Sequence, residues 1–327
     1  MSEEDNLPAW TGKPGRYEVW FLTMSDGARA YWIRYTLLAP DHGPDEARLW
    51  FARFDRAEPA NSFGVNRAFP LEEYKGLKDR FEVRIGGGML RSGHAQGAIS
   101  GGGHDVSWLL DFETGEPTYR LLPDSLYHAG LAPSRPFSPN VATSFSGRIT
   151  VDGETHPVVA LPGQQGHIHG SRHAERWAWA HCNAFQDDDA VVHLLTAQGR
   201  TGPVTTPFTT FAGVRWKGEW IRLSAVSQTR PFWLGGWRID VVDKQYRLSG
   251  RVAGDPAFMV QAEYHDPDRT PRYCHNTELA SSRFALFQRK DAGFEEVAVL
   301  SSEGTTHAEW AGRTPAPGEF TPHLSVE

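Results

Sequence analysis

The feature that most constrains this fold is an alternation of apolar and polar side chains that recurs in short runs. Such runs cover residues 17–22, 47–54, 81–85, 145–151 and 220–223, and each ends near a cluster of Gly, Pro or Asp. Alternation with a period of two places the apolar side chains on one face of a strand. Short strands separated by turn residues are typical of antiparallel barrels and sandwiches. We therefore predict an all-β chain, with one short helix over 71–77.

The length of 327 residues determines the expected number of domains. A chain of this size rarely folds around a single hydrophobic core, so we expect two domains. A proline-rich connector over 122–140 predicts the boundary. It gives an N-terminal β domain over 1–135 and a C-terminal β domain over 136–327, the latter ending in a polar tail. Weak similarity of 81–112 to 237–264 indicates a tandem repeat.

Charge and composition exclude several classes of protein. The 33 Lys and Arg residues against 40 Asp and Glu leave a net charge of -7, so no basic surface for nucleic acid is expected. No stretch approaches the roughly 20 apolar residues of a spanning helix. The first ten residues, MSEEDNLPAW, do not resemble a signal peptide, and two cysteines cannot form a disulfide framework. We expect a cytoplasmic protein; transient membrane contact and the oligomeric state are left open.

The chain is rich in tryptophan, with 12 residues, and two of them stand in its densest polar segment, 163–185. If residues 176–185 form a strand, one face carries Trp177, Trp179, His181, Asn183 and Phe185. A buried imidazole or amide needs a hydrogen-bond partner, so this face is unusual for a plain core. It suits the wall of a ligand cavity. The alternative is that the imidazole and the amide bind neighbouring backbone beneath a loop.

His167 and His169 alternate in the glycine-rich stretch just before this strand, so their side chains are expected on the same side. Alternating histidines can ligate a metal, as in jelly-roll sites of the cupin type. Such a site has a Gly six residues before the first His and a Glu four or five residues after the second. Here Leu161 occupies the first position, and Glu175 comes six residues after His169. We predict no metal, and take a polar loop at a barrel mouth as the main interpretation.

A second polar cluster contains Tyr264, His275 and Glu278. Imidazole titrates near neutral pH, and burial raises the pKa of a carboxylic acid, so His275 and Glu278 are candidates for acid–base work. The neighbouring residues 265–268 are more simply interpreted as a hairpin turn. No G-x-S-x-G elbow is present, which excludes a serine hydrolase of that type.

The segment 175–185 resembles the tocopherol cyclase-like group of double-lipocalin, or calycin-like, proteins. The wider group also includes bacterial carotenoid 1,2-hydratases and fungal Diels–Alderases. Its hallmark is a W-x-W-x-x-x-N-x-F strand shortly after a glycine-rich polar loop. Trp177, Trp179, Asn183 and Phe185 match the strand, and residues 163–170 supply the loop.

The resemblance implies two lipocalin-like barrels or curved sandwiches side by side, with a hydrophobic pocket near their interface. Activities in the group are ring closure, hydration or pericyclic ring formation, and they need no organic cofactor. We expect an apolar polyene, isoprenoid or polyketide-like substrate, with His181, His169 or Glu278 as the acid–base group. The expected ligand-binding residues are Trp177, Trp179, Asn183, Phe185, His167, His275 and Tyr264. Two alternatives are a non-catalytic lipid or pigment carrier, and a metal-dependent dioxygenase or isomerase that uses His167 and His169.

Overall fold

The structure, a computed structural model, describes residues 4–128, 132–186, 188–315 and 325–326. The first antiparallel sheet contains twelve strands from the first half of the chain. They are β1 (Arg16–Ser25), β2 (Arg29–Ala39), β3 (Glu46–Asp55), β4 (Phe63–Phe69), β5 (Tyr74–Gly76), β6 (Glu82–Ile85), β7 (Gly88–Arg91), β8 (His94–Gly101), β9 (His104–Phe112), β10 (Tyr119–Arg120), β11 (Ser134–Val151) and β12 (Glu154–Gly170).

The second sheet has eleven strands from the rest of the chain, and β15 and β16 form a separate hairpin. These strands are β13 (Arg176–Cys182), β14 (Val191–Gln198), β15 (Arg200–Thr201), β16 (Val204–Thr205), β17 (Phe208–Trp216), β18 (Glu219–Ser227), β19 (Phe232–Trp233), β20 (Gly236–Val242), β21 (Tyr246–Ala253), β22 (Val260–His265), β23 (Pro271–Lys290), β24 (Gly293–Gly312) and β25 (Ser325–Val326). The helical pieces are α1 (Asp124–His128) and 3-10 turns at Glu4–Asn6, Pro59–Asn61, Leu71–Glu73 and Pro256–Phe258.

The first sheet runs in the order β4-β3-β2-β1-β12-β11-β9-β8-β7-β6-β5. It curls so that β4 lies against β8 and encloses a core. Alternation along β2 explains how one strand serves two surfaces. Ile33 and Tyr35 pack inside this first barrel, while Trp32 packs on its outer side against residues of the second sheet. Arg34, with the same parity as Trp32, also belongs to the outer side.

The second sheet repeats this plan in the order β18-β17-β14-β13-β24-β23-β21-β20-β19. It curls so that β18 lies against β20, around a separate core that includes Trp237 and Phe284. In both sheets a hairpin of two long strands sits beside the strand that starts the unit: β11 and β12 beside β1, and β23 and β24 beside β13. The predicted all-β fold of two lipocalin-like units is therefore confirmed.

Two details differ from the expectations. Residues 71–77 form a 3-10 turn and strand β5 instead of a helix. By position in the two sheets, β8 corresponds to β20 and β9 to β21. The sequence comparison instead aligned 81–85 with 237–241, 94–99 with 246–252 and 106–112 with 258–264. None of the described helices has the length and apolar character to cross a membrane.

The domain boundary expected between 135 and 136 falls within β11, which pairs with β12 and β9 of the first sheet. The change from the first sheet to the second occurs between β12, which ends at Gly170, and β13, which begins at Arg176. We propose that residues 171–175 are the linker between the units.

Candidate functional site

A cavity of about 320 Å³ lies between the two sheets. Strands from both units build it, because the outer faces of β1, β2 and β12 meet the outer faces of β13 and β14. Its walls are mostly aromatic and aliphatic, as in typical small-molecule sites. The apolar lining residues include Phe21, Trp32, Leu121, Phe137, Ile168, Trp177, Trp179, Leu195 and Phe211, and the polar ones include Arg34, Arg172, His173, His193, Tyr264, Asn276 and Glu309.

The paired indoles of β13 face this cavity, as the period of a strand requires. Trp177 Nε1 donates to Glu309 Oε1 at 2.6 Å, and Trp179 Nε1 donates to His193 Nε2 at 2.7 Å. Ala178 points the other way, into the core of the second barrel. The two indoles are therefore held in fixed orientations, with their polar edges engaged and their ring surfaces available to line the cavity.

His181 and Asn183, predicted beside the indoles, bind backbone carbonyls and are not among the residues that line the cavity. The Nε2 atom of His181 donates to Val141 O at 2.6 Å. The Nδ2 atom of Asn183 donates to Gly163 O at 2.9 Å and to Thr143 O at 3.3 Å. These contacts join β13 and its end to the long hairpin of the first sheet. Both side chains thus bind backbone groups, as the alternative interpretation from sequence has it, but their partners lie on strands β11 and β12 and not in a loop.

Glu278 lies in a fully buried polar group behind the cavity. Its Oε2 atom is 2.5 Å from Nδ1 of His307, and the His307 ring stacks on His181 at 5.5 Å between ring centres. Burial raises the pKa of Glu278 well above its usual range and lowers the pKa of His307 to about 3. Burial thus disfavours the charged form of both side chains. Glu278 is not among the cavity-lining residues, so its predicted catalytic role has no contact to support it.

His167 and His169 project to one side, with ring centres 5.5 Å apart. His167 is buried between the N-terminal segment and β1: its Nδ1 atom lies 2.7 Å from Asp5 O and its Nε2 atom 2.9 Å from Glu18 Oε1. His169 stacks on Phe137, and burial lowers its pKa to about 3. Neither histidine is among the lining residues. Among the described residues, no group of three or more His, Cys, Asp or Glu side chains is placed to hold a metal.

His275 and Phe185 also lie away from the cavity. The two ring nitrogens of His275 face Trp310 O at 3.2 Å and Gln261 Oε1 at 3.0 Å, and burial lowers its pKa. Phe185 packs against the core of the second barrel, edge to face with Phe284. Of the predicted ligand-binding residues, Trp177, Trp179 and Tyr264 therefore line the cavity.

Sequence reasoning missed a histidine–carboxylate pair at the cavity wall. Asp266 Oδ1 lies 2.8 Å from His173 Nδ1 and also accepts the backbone N–H of His173 at 2.8 Å. Asp266 Oδ2 accepts from Arg272 Nε at 2.8 Å. Although burial acts to raise the pKa of Asp266, the contacts with His173 and Arg272 lower it below the ordinary value. An ionised Asp266 therefore accepts from Nδ1 of His173 and fixes the orientation of its ring.

Tyr264 and Arg34 complete the polar part of the wall. The guanidinium carbon of Arg34 lies 4.3 Å from the centre of the Tyr264 ring and 4.9 Å from that of Trp32. Tyr264 stacks near His173, with ring centres 6.1 Å apart, and burial raises its pKa well above 10. In the sequence, Arg34 stands out as the single charged residue in the otherwise apolar run 30–35, and this feature could have identified it as a site residue. Together with His173, Arg34 and Tyr264 also line an adjoining cavity of about 260 Å³.

Comparison with known proteins gives two kinds of match. No protein-family model matches the chain. Two curated relatives are uncharacterized proteins of Mycobacterium tuberculosis, from strains CDC 1551 and H37Rv; each is 27% identical over 334 residues, which cover 97% of this chain and 93% of the relative.

Two crystal structures are similar over nearly the whole chain. A candidate AttH protein from Nitrosomonas europaea has a TM-score of 0.53 and 15% identity, covering 91% of this chain and 93% of that one. Kievitone hydratase from Nectria haematococca has a TM-score of 0.54 and 10% identity, covering 95% and 92%. Both are carotenoid hydratase-like double-lipocalin proteins, the group that segment 175–185 resembles. At these identities the likeness establishes the fold, and this chain has the double-lipocalin fold.

Proposed function

We propose that the protein is a cofactor-independent enzyme that binds an apolar, unsaturated small molecule between its two units and adds water or an internal hydroxyl to a double bond. The observation that carries this proposal is the His173–Asp266 pair in the wall of an aromatic cavity. The pair places an oriented imidazole against the aromatic walls, which is the arrangement that acid–base chemistry on an apolar ligand requires. The hydratase among the structural neighbours is consistent with this reaction class.

His173 is the proposed acid–base residue, in place of His181, His169 and Glu278. When its imidazole is protonated, Asp266 stabilises the positive charge through the Nδ1 contact. Nε2 donates its proton to one carbon of the double bond, and the second carbon becomes cationic. A water molecule, or a hydroxyl group of the same ligand, forms the new C–O bond and returns its proton to Nε2. The product is the hydrate or the cyclic ether, and His173 regains its starting state.

The indoles contribute in two ways. Trp177 and Trp179 lie in the wall, and the electron-rich face of an indole attracts a cationic carbon. Their N–H groups are already bonded to Glu309 and His193, so the rings stay oriented when a ligand binds. A rigid aromatic wall also holds a flexible chain in the reactive conformation, which removes part of the entropic barrier.

The test is product formation in deuterium oxide. A panel of prenylated phenols and acyclic polyenes is incubated with the protein, and products are analysed by mass spectrometry for one deuterium on carbon. We expect at least one substrate to be labelled by the wild type and by His94→Gln. His94 is a matched control, since its Nδ1 atom lies 2.7 Å from Asp111 on the outer surface of the first sheet. His173→Gln is expected to lose turnover by about 10²-fold or more while still quenching tryptophan fluorescence on ligand binding.

Two results would count against the proposal. Saturable binding by the panel with no product would favour the carrier. Equal turnover by His173→Gln and the wild type would exclude His173 as the acid–base residue.

A further inference from the structure

Arg34 is a buried cation at the interface. Its side chain lies between the two sheets, with 7% of the residue exposed, and it contributes to the walls of both adjoining cavities. The faces of Tyr264 and Trp32 lie beside the guanidinium. Such faces attract the charge, but they offer no acceptor to the five N–H groups at the guanidinium edge.

No ion pair or side-chain hydrogen bond joins Arg34 to any of the described residues. This is unusual for a guanidinium so deeply buried, because a charge withdrawn from water is costly without a hydrogen-bonded partner. Arg272, the other deeply buried arginine at this interface, shows the normal arrangement, with Asp266 at 2.7 Å and Glu175 at 3.7 Å. Arg34 differs because its charged edge faces space that a ligand can fill.

We propose that Arg34 binds the carboxylate of an apolar carboxylic acid whose hydrocarbon part lies along the Trp177–Trp179 wall. This inference rests on the proposed function for the location of the ligand, and it adds the chemical class of the ligand. A planar guanidinium matches a carboxylate through two parallel N–H···O bonds. An apolar acid would satisfy both the hydrophobic walls and the guanidinium of Arg34.

The surroundings favour a single negative charge over a phosphate dianion. Glu309 lines the same cavity, and its two oxygens already accept from Trp177 Nε1 at 2.6 Å and Cys274 Sγ at 3.2 Å. Because Glu309 already places a carboxyl group in the cavity wall, a ligand with two negative charges is disfavoured, since like charges repel strongly away from water. One ligand carboxylate balances one guanidinium.

The experiment compares three ligands of equal chain length: decanoate, decanol and decyl phosphate. Binding to the full chain at neutral pH is followed by tryptophan fluorescence and by calorimetry. We expect decanoate to bind at least about tenfold more tightly than decanol and decyl phosphate. In Arg34→Met, which keeps the bulk and removes the charge, this preference should disappear while decanol affinity stays within about twofold of the wild type.

The control is Arg67→Met, because Arg67 lies over Phe69 on the surface of the first barrel and does not line either interface cavity. It should keep the wild-type preference. If Arg34→Met does not fold, Arg34→Lys supplies the second variant, and it should retain a reduced preference for decanoate. Two results would overturn the inference: equal affinity of the wild type for decanoate and decanol, or tightest binding of decyl phosphate. Either result would leave the proposed function standing. Failure of all three to bind would instead count against the interface cavity as a ligand site, and so against the proposed function.

Discussion

Nδ1 of His173 lies 2.8 Å from Oδ1 of Asp266, although 93 positions separate the two residues in the chain. The same oxygen accepts the backbone N–H of His173, so both the ring and the main chain of this residue are tied to one carboxylate. His173 lies between β12 and β13, in the proposed linker, and Asp266 follows β22. The contact therefore fixes the linker against the second unit and orients a wall residue of the cavity at the same time.

Asp266→Asn should strongly destabilise the fold. Asp266 and Arg272 are 1% and 0% exposed, so the substitution leaves a buried guanidinium without its close partner. Breaking a buried pair of this kind costs about 3 kcal/mol of unfolding free energy. Urea denaturation at neutral pH measures the loss. Asp240→Asn is the matched control, since the exposed Asp240–Arg247 pair, at 2.8 Å, should contribute about 0–1 kcal/mol.

The contacts of Asp266 with His173 and Arg272 also predict how the stability of the fold depends on pH. The pKa of Asp266 is lowered in the folded protein, so its contribution is present above the unfolded-state pKa of about 3.9 and is lost as the pH falls through the lower folded value. The stability gap between the wild type and Asp266→Asn should therefore stay constant near neutrality and narrow below about pH 4. A gap that widens on acidification would contradict a lowered pKa of Asp266 in the folded protein.

The local pattern of the chain is enough to predict much of the fold, and the reason is geometric. A period of two needs only neighbouring residues, so it places Trp177 and Trp179 on one face of β13 and Ala178 on the other. Strand pairing over long distances is different. The contact of His173 with Asp266 depends on how β22 pairs with β23 and on where the linker crosses the interface, and no short pattern encodes either.

Asn183 shows a second limit of sequence reasoning. A polar residue on an aromatic strand face can serve a ligand or the backbone, and the choice depends on what approaches from another strand. Here the long hairpin of the first sheet brings Gly163 O and Thr143 O within reach of the amide. Arg34 is a converse case, because its place in an apolar run is visible in sequence but its lack of a partner appears only when both sheets are in place.

Asn183→Ala should weaken the link between the two units. The substitution removes two hydrogen bonds between Asn183 and the long hairpin of the first sheet, which costs about 1–3 kcal/mol. Thermal and urea unfolding should both show the loss. The control is Asn61→Ala. The amide of Asn61 donates to Glu58 Oε2 at 2.8 Å on the surface, and its loss should lower the free energy of unfolding by no more than about 0.5 kcal/mol. Equal effects of the two substitutions would argue against a structural role for Asn183.

The buried histidine His307 should make the protein sensitive to mild acid. Burial lowers its pKa to about 3 in the folded protein, while the unfolded value is near 6.5. Between these limits the unfolded chain binds the proton and the folded chain does not, so stability falls as the pH decreases. The contribution of this one residue between pH 7 and pH 5 is up to about 2 kcal/mol.

The measurement is the free energy of unfolding against pH for the wild type and His307→Gln. The variant keeps a polar group beside Glu278 but cannot titrate, so its stability should change less between pH 7 and pH 5. His104→Gln, which removes a partly exposed histidine beside Asp152, serves as the control and should keep the wild-type slope. An unchanged slope in His307→Gln would show that His307 takes up its proton equally in both states.

Trp179→Phe should separate the wall function of this indole from its hydrogen bond. The phenyl ring retains an aromatic surface in the cavity but leaves His193 Nε2 without the N–H donor now at 2.7 Å, which costs about 1 kcal/mol. It also removes a fluorophore from the cavity wall, so the fluorescence change on binding of an apolar ligand should shrink while the affinity from calorimetry changes little. Trp216→Phe is the control, since Trp216 packs on the core of the second barrel, outside the cavity lining. If Trp216→Phe reduced the ligand-dependent signal as much as Trp179→Phe, the ligand would not be bound between the two sheets.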